Sequence, residues 1–302
     1  MKKILIMTSV RNENKEKFHI YLQKQFGDKV EVVLGIFSDL TFEIECGKVL
    51  VELDGKNASD FYLVYFRGTA GFLSMAETFS IYLKSVDINF FDKYFVNSSF
   101  NGDKFASLMR MAVDGVCIVP SFMCWKGAVP KNIEKIVKIF GFPIVAKEVT
   151  TQRMQSIYLL NSVEDFCKLP ALTKKGGSAR YLFQKFINFD KEFRLLVLGS
   201  EVRVIHTKTK RDNTTFQLGY HDMNEDPEFL SLDQVSTEIK EAAIKAAEAL
   251  HIQVAGVDIC TETKTGKIYV FEVNRGPGFD YDTPASPEMS EVSKFFEKEL
   301  SK

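Results

Sequence analysis

Residues 254–278 constrain this chain more than any other stretch. Two alternating runs, Val254 to Cys260 and Lys267 to Asn274, flank the turn Lys264-Thr265-Gly266 and read as a β-hairpin. Side chains two apart on a strand point to one face. Glu272 and Asn274 therefore share a face, and Phe271 and Val273 take the other. A short hairpin sets Asp258 beside the first pair. Solvated acids on an exposed hairpin would be the ordinary reading, but Gly256-Val257-Asp258-Ile259 and Val270-Phe271-Glu272-Val273-Asn274 read as buried on both sides. A lone buried carboxylate is costly unless it is paired or bound to metal. Two carboxylates and an amide oxygen are hard donors that suit Mg²⁺, which takes its remaining ligands from water and phosphate.

The rest of the composition narrows the class. The 302 residues suit two or three domains. With 39 basic and 40 acidic side chains the net charge is −1, which argues against a general nucleic-acid binder. Cys46, Cys117, Cys124, Cys167 and Cys260 form no C-x-x-C pair and read as free thiols in a reducing compartment. No apolar run reaches the roughly 18 residues of a membrane span, and the short run after Lys3 lacks a cleavage site. The expectation is a soluble, cytoplasmic protein. His19, His206, His221 and His251 show no ligand spacing and read as structural or surface residues.

Strands and helices alternate along the first part, which implies a mostly parallel sheet. Strands are expected over 2–10, 29–37, 60–66 and 88–91, helices over 13–26 and 72–85, and a hairpin over 41–53. A helix over 101–114 has the stripe Phe105, Leu108, Met109 and Ala112, and Val116 to Val119 reads as a strand. A helix over 131–140, strands over 144–147, 155–160 and 181–187, and a short helix over 163–169 follow. An antiparallel pair, Phe193 to Leu198 and Val202 to Thr207, turns at Gly199-Ser200. A helix over 234–250 precedes the diagnostic hairpin, and another over 288–300 ends the chain.

Gly256-Val257-Asp258-Ile259 and Glu272-Val273-Asn274, followed by Pro277-Gly278, resemble the metal-binding end of the ATP-grasp superfamily, most closely its RimK-type glutamate ligases. The resemblance implies an α/β (in parts α+β) fold. It comprises an N-terminal Rossmann-like domain (1–96), a small central α+β domain (97–187) and a C-terminal antiparallel-sheet domain (188–302). It implies Asp258, Glu272 and Asn274 as ligands of the Mg²⁺ that bridges ATP phosphates, with Mn²⁺ as an alternative metal. Asn101-Gly102-Asp103-Lys104 and Phe142-Pro143-Ile144-Val145-Ala146-Lys147 resemble the segments whose lysines grip the nucleotide. Tyr181 to Ile187 resembles the hinge that recognises adenine, through Gln184, Lys185, Phe186 and Ile187. Glu192 is implied on the ribose side. Arg194 is a candidate for the phosphate or substrate side, with a structural salt bridge as the alternative. Among the basic residues after the return strand, Arg211 is favoured to face the transferred phosphoryl group because arginine grips phosphate bidentately, with Lys208 as rival. Arg275 and Arg67 are candidates for substrate.

One departure from the family pattern stands out. The loop after Lys147 lacks the usual glycines, so Thr151 and Arg153 would have to meet phosphate through side chains rather than backbone amides. The implied function is an ATP-dependent carboxylate–amine ligase working through an acyl-phosphate, with a small-molecule or peptide carboxylate and an amine as partners. A catalytically altered nucleotide-binding module and a hydroxyl-phosphorylating kinase remain alternatives, and homo-oligomerisation is open.

Overall fold

The computed structural model describes residues 1–45, 48–97, 104–149, 157–169, 180–208, 228–279 and 287–302. The first unit runs β1 (Lys2–Thr8), α1 (Glu13–Phe26), β2 (Val30–Ile36), β3 (Leu40–Glu45), β4 (Lys48–Leu53), β5 (Lys56–Asn57), β6 (Leu63–Gly68), α2 (Leu73–Ser85), β7 (Asn89–Phe91) and α3 (Tyr94–Asn97). Its main sheet has the order β2-β1-β6-β7, and every pairing in it is parallel. Ile4, Leu5, Ile6 and Met7 are fully buried, as expected of a strand covered on both faces. Asn12 caps α1 by accepting from the Lys15 amide at 3.0 Å. The hairpin β3–β4, extended by β5, stands apart as a small antiparallel sheet.

The second unit contains α4 (Lys104–Val113), β8 (Ser121–Trp125), α5 (Val129–Phe140), β9 (Ile144–Glu148), β10 (Ile157–Leu160) and β11 (Arg180–Lys185). Its sheet has the order β10-β9-β11-β8, and Ile136 of α5 packs with Ile144, Ala146, Tyr158, Tyr181 and Phe183 of the strands. The third contains β12 (Phe189–Leu198), β13 (Glu201–Lys208), β14 (Phe229–Leu230), α6 (Thr237–Ala249), β15 (Val254–Glu262), β16 (Ile268–Arg275) and α7 (Pro287–Leu300). Its sheet has the order β14-β13-β12-β15-β16. On one face Leu195, Val197, Val257 and Ile259 pack with Ile239, Ala243 and Ala246 of α6. On the other, Leu196, Leu198, Val204 and Val254 meet Met289, Val292 and Phe296 of α7.

The first and third units share their cores. Phe296 of α7 lies edge-on to Tyr65 at 5.4 Å, and Leu5, Phe66 and Val257 belong to one apolar cluster. Arg67, 3 % exposed, donates to the carbonyls of Gly276 (2.7 Å) and Pro277 (2.6 Å) and lies over the Phe279 ring at 4.3 Å. It is the latch between these units. Gly276 has φ +55°, and a Cβ there would lie 2.4 Å from the Arg67 carbonyl oxygen, so only glycine lets the chains approach this closely.

Several sequence expectations shift. Met109 is 51 % exposed, and Leu108 and Met111 carry the buried face of α4. Of the strand expected over 116–119, only Ile118 pairs, as an isolated bridge to Val270. The sheet strand begins instead at Ser121, beyond Pro120, which has no amide hydrogen to donate. The helix expected over 163–169 is a single 3₁₀ stretch, Glu164–Lys168. Among the described residues no helix is long and apolar enough to cross a membrane.

Asp92 ties the units at a second point. It is fully buried, and its Oδ1 accepts from the amides of Gln253 (2.7 Å) and Val254 (2.9 Å) at the start of β15. Burial pushes its carboxyl up to about 7, although those amides and the Arg275 charge favour ionisation. A carboxyl whose folded value exceeds its unfolded one stabilises the fold fully below about pH 4, and that contribution is lost as pH rises to about 7. Asp92→Asn keeps a carbonyl acceptor and does not ionise. It is therefore expected to raise the melting temperature at pH 8 relative to wild type and to change it little at pH 4, a difference that thermal melts at the two pH values would read.

Candidate active site

The antiparallel pairings of the third sheet put His206 opposite Arg194, Arg194 opposite Asp258, and Asp258 opposite Glu272. Directly opposed residues share a face, so four polar side chains form one row across four strands. The next row holds Leu196, Gly256 and Asn274. The row before it holds Lys208, Glu192 and Cys260. Asp258 is 4 % exposed. Arg194 grips it bidentately, Nε to Oδ1 at 2.8 Å and Nη2 to Oδ2 at 2.9 Å. Asn274 Nδ2 donates to Asp258 Oδ2 at 3.4 Å. Glu272 accepts from Lys104 Nζ at 2.9 Å. Burial opposes the Arg194 charge, but its bonds to Asp258 and the charges of Asp258, Glu272 and Glu192 outweigh that and hold it above its ordinary value.

Two β-bulges set this arrangement. On β16, Glu272 faces Asp258 but Val270 faces Ile259, so Phe271 is the extra residue. On β13, Val202 faces Val197 while Val204 faces Leu196. Without that second shift Ile205, not His206, would stand opposite Arg194. A bulge reverses which face a strand presents beyond it. Simple counting from the Gly199-Ser200 turn therefore does not place His206 in this row. His206 lines a small cavity with Arg194, Gly256, Pro277, Gly278, Phe279 and Glu288.

Gly256 is also fixed by packing. A Cβ there would lie 2.7 Å from Pro277 Cβ, closer than van der Waals contact allows. Gly256→Ala is expected to cost about 1–3 kcal/mol through overpacking and to shift the loop that leaves β16. Thermal melts should show the destabilisation, and turnover should fall with it.

The other expected site residues fall as follows. Gln184 is buried and donates to Ser121 Oγ at 2.9 Å. The Lys185 amide donates to the Pro120 carbonyl at 3.0 Å and its amine to Glu262 at 2.7 Å. This commits the backbone donor at 185, so any donor to a base edge must come from beyond it. Ile187 lies with Val119, Cys260 and Tyr269, and with Phe189 and Phe271, in a small apolar cluster. Phe186 and Glu192 are half-buried. Lys147 sits mid-sheet, opposite Leu182 and Ile157. Thr151, Arg153 and Arg211 lie outside the described residues, and Lys208 is described only by its strand position opposite Glu192.

Two substrate candidates are engaged inside the protein. Arg67 is the interior latch described above, not a group presented to solvent, because the Gly276 and Pro277 carbonyls take its guanidinium. Arg275 lies on the face opposite to Asn274, since neighbouring residues on a strand alternate. Its guanidinium sits over the rings of Tyr94 (4.4 Å) and Phe95 (4.9 Å), and burial pulls its ionisation below the ordinary arginine value.

Among the described residues no group of three or more His, Cys, Asp or Glu side chains assembles. The donor set is two carboxylates plus an amide. It fits an oxygen-preferring cation that completes its shell with phosphate and water. Arg194 and Lys104 already balance the two carboxylates, so a dication adds charge that a polyanion must offset.

The main sheets of the three units in this arrangement, with the acid–amide cluster on the third, define an ATP-grasp fold. Residues 101–284 match the RimK-like ATP-grasp domain family, and the chain belongs to that family. A curated relative, the coenzyme γ-F420-2:α-L-glutamate ligase of Methanococcus maripaludis, is 26 % identical over 147 residues, 47 % of either chain. The match thus spans about half of that relative's length. Among solved structures, the RiPP-associated ATP-grasp ligase of Chryseobacterium gregarium, bound to ADP and to leader and core peptides, superposes with TM-score 0.69 at 17 % identity, covering 100 % of this chain and 97 % of that one. VanG D-Ala:D-Ser ligase of Enterococcus faecalis superposes with TM-score 0.70 at 14 % identity, covering 99 % and 98 %. At such identities the likeness shows the fold.

Proposed function

We propose that this chain is an ATP-dependent carboxylate–amine ligase that forms an amide or peptide bond through an acyl-phosphate. The observation that carries this reading is the cluster of Asp258, Glu272 and Asn274, flanked by Arg194 and Lys104, in a member of the RimK-like ATP-grasp family. The proteins it resembles include a coenzyme γ-F420-2:α-L-glutamate ligase, a D-Ala:D-Ser ligase and a ligase bound to leader and core peptides.

Asp258, Glu272 and Asn274 would hold Mg²⁺, which when bound neutralises and aligns the triphosphate. Lys104 and Lys147 would contact phosphate oxygens, and Thr151 and Arg153 would close over them by side chains. Lys185, Phe186 and Ile187 would border adenine, Gln184 would brace that edge, and Glu192 would lie toward the ribose. Arg211, or Lys208 in its place, would face the transferred phosphoryl group. A substrate carboxylate oxygen attacks the γ-phosphorus and ADP leaves. An amine nitrogen then attacks the acyl carbon, phosphate leaves, and the amine gives up a proton. Little covalent chemistry falls to the protein, so positioning and charge stabilisation dominate.

The test is ADP and phosphate release with Mg²⁺-ATP across pairs of carboxylates and amines, products read by mass spectrometry. The ligase reading expects a product equal to the two substrates less one water. A stable phosphorylated product with no amine consumed would replace it with a kinase.

A further inference from the structure

His206 is the one member of the polar row with no task in holding metal or phosphate. Its ring packs against Phe229 at 5.7 Å between centroids, and its Nδ1 lies 3.4 Å from the Thr207 carbonyl oxygen. A carbonyl oxygen only accepts, so that contact puts the proton on Nδ1 and makes Nε2 the basic nitrogen. In the row, Arg194 separates His206 from Asp258. His206 is thus two strands, roughly 10 Å, from Asp258. That is too far for a ligand of a cation held at Asp258, but within reach of a group attached to the phosphate beside such a cation.

The cavity that His206 lines measures about 10 Å³, space for one water-sized group. Arg194 and Gly256 belong both to its lining and to the rows of the acid–amide cluster. From the other side comes Glu288, 4 % exposed, in the first turn of α7. A helix N-terminus favours the ionised form of such a carboxylate. The Arg194 charge is already matched by Asp258. The lining therefore offers a carboxylate and an imidazole nitrogen as acceptors, around a space that an ammonium group fills.

We propose that this cavity receives the amino group of the amine substrate, with Glu288 attracting the ammonium and His206 Nε2 taking a proton from it. This rests on the ligase reading and deepens it: the nucleophile is then an unhindered primary amine, because an N-substituted nitrogen exceeds the cavity. The ammonium gives one proton to His206, and the freed lone pair forms the C–N bond. The C–O bond of the acyl-phosphate breaks, and phosphate leaves with that electron pair and with the second proton of the nitrogen.

The experiment follows the His206 imidazole by ¹⁵N NMR of the whole chain labelled at histidine, its signal assigned by its absence from His206→Gln. Methylammonium chloride is the probe. Tetramethylammonium chloride of equal ionic strength, too bulky for the cavity, is the control. The His206 signal is expected to move saturably with methylammonium and to stay in place with the control. In Glu288→Gln the half-saturating concentration should rise about tenfold or more, because a charge-assisted contact is lost. No movement, equal movement with both salts, or an unchanged half-saturating concentration in Glu288→Gln would each overturn the proposal. The two salts on wild type decide the matter even where Glu288→Gln does not fold. Hydroxylamine adds a kinetic readout on any carboxylate–amine pair that turns over, since it is largely unprotonated at neutral pH and needs no base to attack an acyl-phosphate. The ratio of hydroxamate to amide is expected to rise about 10²-fold in His206→Gln. An unchanged ratio would make His206 a structural residue. The NMR readout needs no turnover, so a wild-type chain that releases no ADP would count against the ligase reading alone.

Discussion

Glu272→Gln is expected to lower the rate of ADP formation by about 10³-fold while leaving the fold intact. The substitution keeps the size and one oxygen of the side chain but removes the negative charge that a dication seeks in a hard donor. Losing one aligned electrostatic contact in an enclosed site commonly removes 10²–10³ in rate, and a weakened metal adds to that. Stability should hardly change. The side chains of the Lys104–Glu272 pair are 40 % and 25 % exposed, and pairs so open to solvent contribute about 1 kcal/mol or less. Steady-state ADP release and a thermal melt on one preparation separate the two effects. Near-normal turnover in this variant would remove Glu272 from the site.

Arg194→Met is expected to do the reverse and damage the fold first. Asp258 is almost fully buried, and Arg194 supplies two of its hydrogen bonds and its matching charge. Taking one partner from such a pair leaves an uncompensated buried charge, which costs about 3–5 kcal/mol. Removing both is milder, because an apolar pair of similar size leaves no buried charge uncompensated. Arg194→Met with Asp258→Leu should therefore recover most of the stability of the single variant and yet show no turnover. Urea denaturation of the two singles and the double completes the cycle. Additive losses would mean that the pair is not the structural unit described above.

The parts of the site legible in the sequence were those that follow from strict alternation. Glu272 and Asn274 lie two apart with no irregularity between them, so their shared face could be read directly, and Asp258 followed from the short hairpin. What alternation could not supply were the bulges. The extra residue at Phe271 and the shift beyond Val202 each reverse the parity of a strand, and no residue type in either run announces them. The place of His206 opposite Arg194 follows from the second of these shifts. The surroundings of the two substrate arginines have two different origins. Arg275 follows from the same alternation as Asn274, applied one residue further. Arg67 is held by a contact across 209 residues of chain, which no local pattern encodes. The elements themselves were more legible. The fourteen residues of α1 were bounded by a capping Asn12 and by Gly27, whereas β8 was hidden because Val116 to Val119 read as the strand that in fact starts at Ser121.

The most direct test of the account is where a divalent cation sits when nucleotide is bound. Crystals grown with Mn²⁺ and a non-hydrolysable ATP analogue give an anomalous signal for the metal alone. A peak within about 2.5 Å of oxygens from Asp258, Glu272 and Asn274, with the triphosphate completing its shell, is the expected result. A peak elsewhere, with these three side chains still turned to Arg194 and Lys104, would contradict it.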